Sequence, residues 1–471
     1  MSDPTADPVL VAGIDLSTQS TKVVLVDVAS GAVVDEASAP HPPGTEVDPE
    51  AWWEALSAAG AGLLDRAAAV AVAGQQHGMV TLDAEGAVVR PALLWNDLRS
   101  APQADALVAE LGGPDDAVAA VGSVLTASYT VAKLRWVAEH EPEAAAGVAA
   151  VALPHDWLTW RLDGSPDLDR LTTDAGDASG TGYFDPAARA WRPELLQQGL
   201  GHDAALPRLA GPAEIVGHTP HGAAIAPGTG DNMAAALGLG LEPGDVAVSI
   251  GTSGTAFAVS PTPVAGAGPE VCGFCDATGR HLPLVCTVNA SRILSTTAAI
   301  LGLDLDAFDT LALSAVQGAN GVTFLPYLDG ERTPNRPDAT GVLNGITSAT
   351  APADIAGAAV EALLCSLADA VDALGVPARR ILMIGGGSRS EAVRTAAPAF
   401  FGTDVVVPAP AEYVALGAAR QAAWALSGTP EPPAWPVAIA EERSFDGAAR
   451  SAADAVRARY AALRDHTAGW S

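Results

Sequence analysis

Lysine is almost missing from this 471-residue chain; Lys22 and Lys133 are the only two. Neither follows a glycine, so no Gly-x-x-x-x-Gly-Lys loop is present to cradle a phosphate. No Gly-x-Gly-x-x-Gly follows an apolar strand, which argues against a dinucleotide fold. No apolar run is long enough to span a bilayer, and no charged start precedes an apolar core, so a cytoplasmic protein is expected. Positive charge as a whole is scarce. Against 25 Lys and Arg stand 55 Asp and Glu, a formal net charge of −30, which speaks against a nucleic-acid partner, since that would want a basic face. A nucleotide would be repelled at long range, so its site would rely on local backbone N–H groups and a metal ion. Cysteine is sparse too: Cys272-Gly-Phe-Cys275 looks like half a zinc or redox motif, but no second pair of suitable spacing exists, and buried structural thiols are expected. Aromatic residues make up only 5% of a chain that is 49% apolar, which describes an interior rich in Ala and Val.

The length suffices for two or more domains, each with its own core. Val9–Val34 reads as a β-hairpin, with the hydroxyl-rich turn Asp15-Leu-Ser-Thr-Gln-Ser-Thr21 between its strands. The pattern returns at Asp245–Val259, where Val246–Ile250 leads into Gly251-Thr-Ser-Gly254 and Thr255–Val259 leads out. Two hairpins with Gly/Ser/Thr tips, each opening one half of the chain, predict a duplicated α/β domain. Such tips expose N–H and O–H donors that can hold phosphate oxygens. Lys22 ends the first turn, where a cation could meet a phosphate or simply be a solvated strand lysine.

Between the hairpins, Val70–Ala73 reads as a strand ending in Gly74-Gln75-Gln76-His77-Gly78, and Pro91–Leu94 as another ending in Trp95-Asn96-Asp97. Ligands of open α/β sheets sit at such strand ends. An aromatic face beside Gln, His, Asn and Asp suits a polyhydroxyl ligand. Pro227-Gly-Thr-Gly-Asp231-Asn232-Met233 reads as a strand, a glycine turn and an immediate helix start. Asp231 there is either the helix cap or an ionised base pointing into a cleft. Helices are expected at Tyr129–His140, Ala187–Gly199, Pro352–Leu374 and Arg450–Arg464, a strand at Arg380–Ile384, a close backbone approach for a flat ring at Gly385-Gly386-Gly387-Ser388-Arg389-Ser390, and a linker at Pro430–Pro436.

Ser128-Tyr-Thr-Val-Ala-Lys133-Leu-Arg-Trp136-Val-Ala-Glu-His140 resembles the first signature of the FGGY carbohydrate kinases. Gly341-Val-Leu-Asn-Gly345-Ile, running to Asp354-Ile and Ala358-Ala-Val-Glu361, resembles the second. Gly74–Gly78, Leu94–Asp97 with Arg99, Gly230–Asn232 and Phe324–Pro334 resemble in particular the members that act on D-xylulose. The resemblance covers about Val9 to Leu426. Ser17 stands where many relatives carry glycine, and Gln76 where a methionine is common among the xylulose-specific members.

The resemblance implies two duplicated ribonuclease-H-like α/β domains of the actin and hexokinase type, 1–240 and 241–471, with a cleft between them. It implies ATP-dependent phosphorylation of D-xylulose at its 5-hydroxyl, with ATP and Mg²⁺ as cofactors and no nucleic-acid or membrane partner. A homodimer is left open. Asp231 matches the catalytic base, and Asp15 the carboxylate associated with Mg²⁺ and activity. Gln76 and His77 match the pair that contacts the ketose, with Asn232 beside them, and Trp95 is the aromatic face expected to meet the sugar. Thr18, Lys22 and Thr252 match phosphate-handling positions, and Gly386, Gly387 and Ser390 fall where adenosine is held. Another pentose, ketose or polyol (ribulose, a xylitol-like polyol) is the nearest alternative substrate. A non-enzymatic, ATP-switched binding protein of the actin or Hsp70 kind is the alternative from another class.

Overall fold

A computed structural model of the chain describes residues 7–264 and 268–470. Two compact units form. The first runs from the start of the described chain to Gly240 and recovers the chain at Gly273–Leu282 and Ala411–Pro436; the second takes Leu241–Cys272, Pro283–Pro410 and the chain from Val437 onward.

In the first unit the opening apolar run becomes β1 (Leu10–Leu16), with all seven residues buried. Continuous rather than alternating burial marks a strand covered on both faces. β2 (Ser20–Asp27) returns antiparallel to it, from Leu10 opposite Asp27 to Leu16 opposite Thr21, and the largely exposed β3 (Val33–Pro40) forms the edge. α1 (Pro49–Gly60) begins at Asp48, whose side chain accepts from the Glu50 N–H, the usual way to satisfy an orphan donor at a helix start. β4 (Ala69–Gly74) then runs parallel to β1. After α2 (Thr130–His140) and α3 (Pro154–Asp163) come β5 (Gly217–His218), β6 (Ala224–Ile225), β7 (Thr229–Gly230) and α4 (Asp231–Gly238). The sheet order is β5-β6-β4-β1-β2-β3.

β6 and β7 are two pieces of one path along β4. Ala224 and Ile225 pair with Ala69 and Val70, whereas Thr229 and Gly230 pair with Ala73 and Gly74. Pro227-Gly228 steps off the sheet between them. Gly228 has φ +78°, and a Cβ there would overlap the Val72 carbonyl oxygen, so only glycine serves at this step. The path rejoins β4 at the end where Gln75, Gln76 and His77 leave it.

The second unit repeats the plan with β8 (Asp245–Ile250), β9 (Gly254–Ala258), β10 (His281–Thr287), α5 (Pro352–Ala373), β11 (Arg380–Ile384), α6 (Glu391–Phe401) and β12 (Asp404–Pro408); after α7 (Tyr413–Ser427) follow β13 (Ile439–Arg443) and α8 (Gly447–His466). Strands follow the order β10-β9-β8-β11-β12-β13. In both sheets the first hairpin strand has its antiparallel partner on one side and a parallel strand on the other, a second parallel strand follows, and an antiparallel strand closes that edge. The duplication expected from the hairpin tips is therefore present in the strand order. α5 is buried at every position from Ala356 to Ala368, as a helix enclosed on all sides must be.

Three local expectations change. Ala187–Gly199 is not one helix: Phe184–Asp185 pairs with Ala190–Trp191, and the helix covers only Pro193–Leu200. The Asp185 carboxylate accepts from the N–H groups of Ala187 and Ala188, and Arg189 adopts φ +51°, so the backbone turns before Pro193 can start a helix. The strand at Pro91–Leu94 shrinks to Ala92–Leu93, paired with Glu46–Val47. The proline-rich stretch at 430–436 is not a free linker; Trp435 donates to the Val28 carbonyl at 3.0 Å and Arg420 to the Pro433 carbonyl at 2.7 Å. Among the described residues no helix is long and apolar enough to cross a membrane.

α7 packs on β1 and α4 through an interface of alanines and glycines. Ala415, Ala418, Ala419, Ala422 and Ala423 meet Val11, Val24, Ala69 and Ala71. A Cβ at Gly13 would overlap the Ala415 carbonyl oxygen, one at Gly238 the Tyr413 oxygen, and one at Gly417 the Ala234 oxygen. Gly→Ala inside a helix ordinarily gains about 1 kcal/mol. At Gly417 the neighbour is backbone and cannot swing away, so overpacking of about 1–3 kcal/mol outweighs that gain. Gly417→Ala should lower Tm in a thermal melt; an unchanged or raised Tm would contradict this packing.

Candidate active site

Asp15 ends β1 opposite Lys22 of β2 and is 3% exposed. Ser17 Oγ donates to its Oδ1 at 2.6 Å, and Lys22 Nζ lies 3.9 Å from its Oδ2. Burial pushes the Asp15 carboxyl above its ordinary value, against the lowering effects of Ser17 and Lys22. Lys22 is committed mainly to Glu412, at 2.6 Å. Thr18, at the hairpin tip, donates to Gln75 Oε1 at 3.2 Å and accepts from Trp95 Nε1 at 2.9 Å. Loop and aromatic are thereby tied together, and the indole stays 45% exposed.

Gln76, at the end of β4, is 4% exposed. Its Oε1 accepts from Asn232 Nδ2 at 3.0 Å, and its Nε2 has no hydrogen-bond partner. A buried donor left open costs about 1–3 kcal/mol, a cost that a ligand can remove. His77 follows at φ +67°. Its Nδ1 is 2.6 Å from the Gly180 carbonyl, which can only accept, so Nδ1 carries the proton. Its ring packs 4.8 Å from Tyr129 and 5.9 Å from Phe274 between ring centres. The His77 carbonyl accepts from Thr130 Oγ1 and from the fully buried Lys133 amine at 3.2 Å. Burial pushes that amine down to about 7, and its place in the fold is to hold the strained His77 turn.

Asp231 is not the helix cap. Gly230 occupies the cap position, and Asp231 is the first residue of α4. Its Oδ1 accepts from the Asn232 N–H at 2.7 Å and from Asn232 Nδ2 at 2.9 Å. The expectation of a permanently ionised carboxylate is corrected as well. Burial pushes the Asp231 carboxyl up to about 7, and the nearby charges of Asp15 and Asp177 push in the same direction. The first unit thus brings Asp15, Thr18, Lys22, Gln76, His77, Trp95, Asn232 and Asp231 onto its neighbouring strand ends and loops.

Behind these residues lie charges that the sequence reading missed. His155, Asp156, Asp174 and Asp177 are all buried, and Asp174 Oδ2 accepts from Thr229 Oγ1 at 2.6 Å. The signal available was Pro154-His-Asp156 set inside the apolar stretch Ala150–Trp160, where buried charge needs a reason.

In the second unit, Thr252 sits exposed at the tip between β8 and β9, its carbonyl accepting from the Ala290 N–H at 3.0 Å. Gly385 takes φ +88°, and a Cβ at Gly387 would overlap Ile250 Cγ2, so the turn is pressed onto β8. A Cβ at Gly386 would meet nothing within 4 Å, leaving its face open. Ser390 caps α6, accepting from the Val393 N–H at 3.2 Å and donating to Asp309.

The models of the FGGY family of carbohydrate kinases match this chain twice, the N-terminal domain over residues 10–240 and the C-terminal domain over residues 246–426. The xylulose kinase of Streptomyces coelicolor is 46% identical over 97% of this chain and 95% of its own length. That of Streptomyces rubiginosus is 46% identical over 90% and 89%. The crystal structure of xylulose kinase from Bifidobacterium adolescentis is similar with a TM-score of 0.90 at 45% identity, over 97% of this chain and 99% of that one.

In a ¹³C NMR titration of the free protein, the Asp231 carboxyl should titrate at about 7 rather than at the ordinary 3.8. Asp15→Asn removes a like charge, so the Asp231 midpoint should move down; a midpoint that stays put would show that the two carboxylates do not face each other.

Proposed function

Because this chain belongs to the FGGY family of carbohydrate kinases, we propose that it transfers the terminal phosphoryl group of ATP to the 5-hydroxyl of D-xylulose, with Asp231 as the base. The observation that carries the reading is Asp231 itself, a carboxyl with a proton affinity near neutrality hydrogen-bonded to Asn232, which in turn bonds Gln76. A base works best when its pKa is close to the working pH, and the crowding by Asp15 and Asp177 serves that end.

In the transfer, the sugar oxygen forms a bond to the γ-phosphorus while the bond to the ADP oxygen breaks, and the hydroxyl proton passes to Asp231. Charge in this loose transition state is spread over the phosphoryl oxygens, so alignment and neutralisation do most of the work. Gln76 Nε2, His77, Asn232 and the exposed Trp95 face would hold the sugar. Thr18 and Lys22 of the first loop and Thr252 of the second would handle phosphate oxygens. Gly386 and Gly387 would hold adenosine, with Ser390 fixing the turn as the cap of α6. Lys22 must exchange Glu412 for phosphate, which is cheap, since a partly exposed ion pair is worth about 0–1 kcal/mol.

The residues fit a divalent cation. No cluster of three or more His, Cys, Asp or Glu suited to a metal occurs among the described residues, but Mg²⁺ is commonly held by one or two carboxylates together with substrate phosphates. Asp15, buried and facing another carboxylate, would be that ligand. The cation would neutralise phosphate charge.

Asp231→Asn should lower kcat by about 10²–10⁴-fold while calorimetry still detects sugar binding; near-normal turnover would remove the base assignment. In an ADP-release assay over a panel of pentuloses and polyols, D-xylulose should give the highest kcat/KM. If ribulose or a polyol does, the sugar is wrong and the kinase reading stands; ADP release that ignores every sugar would point to a nucleotide-switched binding protein.

A further inference from the structure

His155 is wholly buried and lies between two carboxylates, its Nδ1 2.6 Å from Asp177 Oδ2 and its Nε2 3.2 Å from Asp156 Oδ1. The residue also packs against two neighbouring strand ends. A Cβ at Gly74 would lie 2.8 Å from His155 Cβ, and one at Gly228 would lie 2.6 Å from His155 Cδ2. The first glycine ends β4, just before Gln76. The second makes the step that leads into Asp231. From the other side, Asp174 caps the short helix Ala175–Ala178 that carries Asp177, and accepts from Thr229, two residues before Asp231. A Cβ at Gly230 would lie 2.9 Å from Gln76 Cγ, so the two strand ends also touch each other.

Such a cluster is costly. Removing an ion from water costs several kcal/mol, and apolar side chains of the same volume often serve stability equally well. Burial therefore argues for a use other than holding the fold together. The Asp156 and Asp177 charges keep the imidazole protonated, up to about 9, against the effect of burial. Asp156 is pushed up to about 7 and Asp174 to about 6 by burial, and Tyr183 adjoins Asp156 and Asp177. The charges of Asp177 and Asp15 both raise the proton affinity of Asp231.

We propose that His155 and Asp177 are positioning residues for phosphoryl transfer, a buried histidine–carboxylate pair that fixes the strand ends bearing Gln76 and Asp231. The proposal rests on the reading of Asp231 as the base. His155 touches neither sugar nor nucleotide; it acts through Gly74 and Gly228, and Asp177 acts through its charge.

The test is the pH profile of kcat and kcat/KM for D-xylulose at saturating Mg-ATP, over about pH 5 to 9, for the wild type, Asp177→Asn, His155→Gln and Asp231→Asn, with a thermal melt of each. Asp177→Asn removes a like charge beside Asp231, so the acid limb should move to lower pH by about half a unit or more, and the weaker base should lower the plateau kcat. His155→Gln should lower kcat about tenfold with the sugar KM within about threefold, the pattern of an interaction used in the transition state. A lowered Tm in both variants with wild-type limb and plateau would mean a structural cluster only, and would overturn the proposal. Asp177→Asn is nearly isosteric and still accepts from Nδ1, so it decides alone if His155→Gln does not fold. A fully active Asp231→Asn would instead remove the base assignment, and is distinguishable from either result.

Discussion

Backbone laid directly against backbone is what the first unit depends on. α7 approaches β1 and α4 at Gly13, Gly238 and Gly417, where even one methyl group would strike a carbonyl oxygen. β1 carries Asp15 at its end and α4 carries Asp231 at its start. Because one helix is keyed to both, the two carboxylates are held by contacts that cannot relax by side-chain rotation. Glu412, one residue before that helix, then holds Lys22 beside Asp15. The small-residue interface and the loop chemistry are parts of one arrangement.

Electrostatics follows from that rigidity. Two like charges kept near a half-buried acid raise its proton affinity, provided they cannot retreat. Asp231 feels the charges of both Asp15 and Asp177, each anchored: Asp15 by Ser17, Asp177 by His155. A chain of net charge −30 can concentrate carboxylates in this way only if an imidazolium and well-directed hydroxyls offset part of the repulsion. Thr229 and His155 supply them.

Much of this was legible in the residues. The hydroxyl-rich hairpin tips announced the duplication, because strand–turn–strand signals are local. The polar clusters after Val70–Ala73 and Pro91–Leu94 could be placed at strand ends for the same reason. The signatures around Ser128–His140 and Gly341–Glu361 identified the family. What stayed hidden was long-range. Asp231 looks like an ordinary helix cap until Asp15 and Asp177, far away in sequence, are set beside it. His155 reads as one more core histidine, and only the close approach of the glycines at 74 and 228 reveals that it packs against two strand ends. Ala187–Gly199 misled because its composition favours a helix, while Asp185 captures the backbone N–H groups and Arg189 turns the chain first.

The return of Ala411–Pro436 to the first unit bears on how the protein is born. Domains generally acquire their structure in the order in which the ribosome releases them. Here the early half must wait, its sheet face of Val11, Val24, Ala69 and Ala71 uncovered until Ala411–Pro436 has been translated. That interval places a premium on chaperone binding during synthesis, and a premature stop before Ala411 would leave an incomplete first half for quality control to remove.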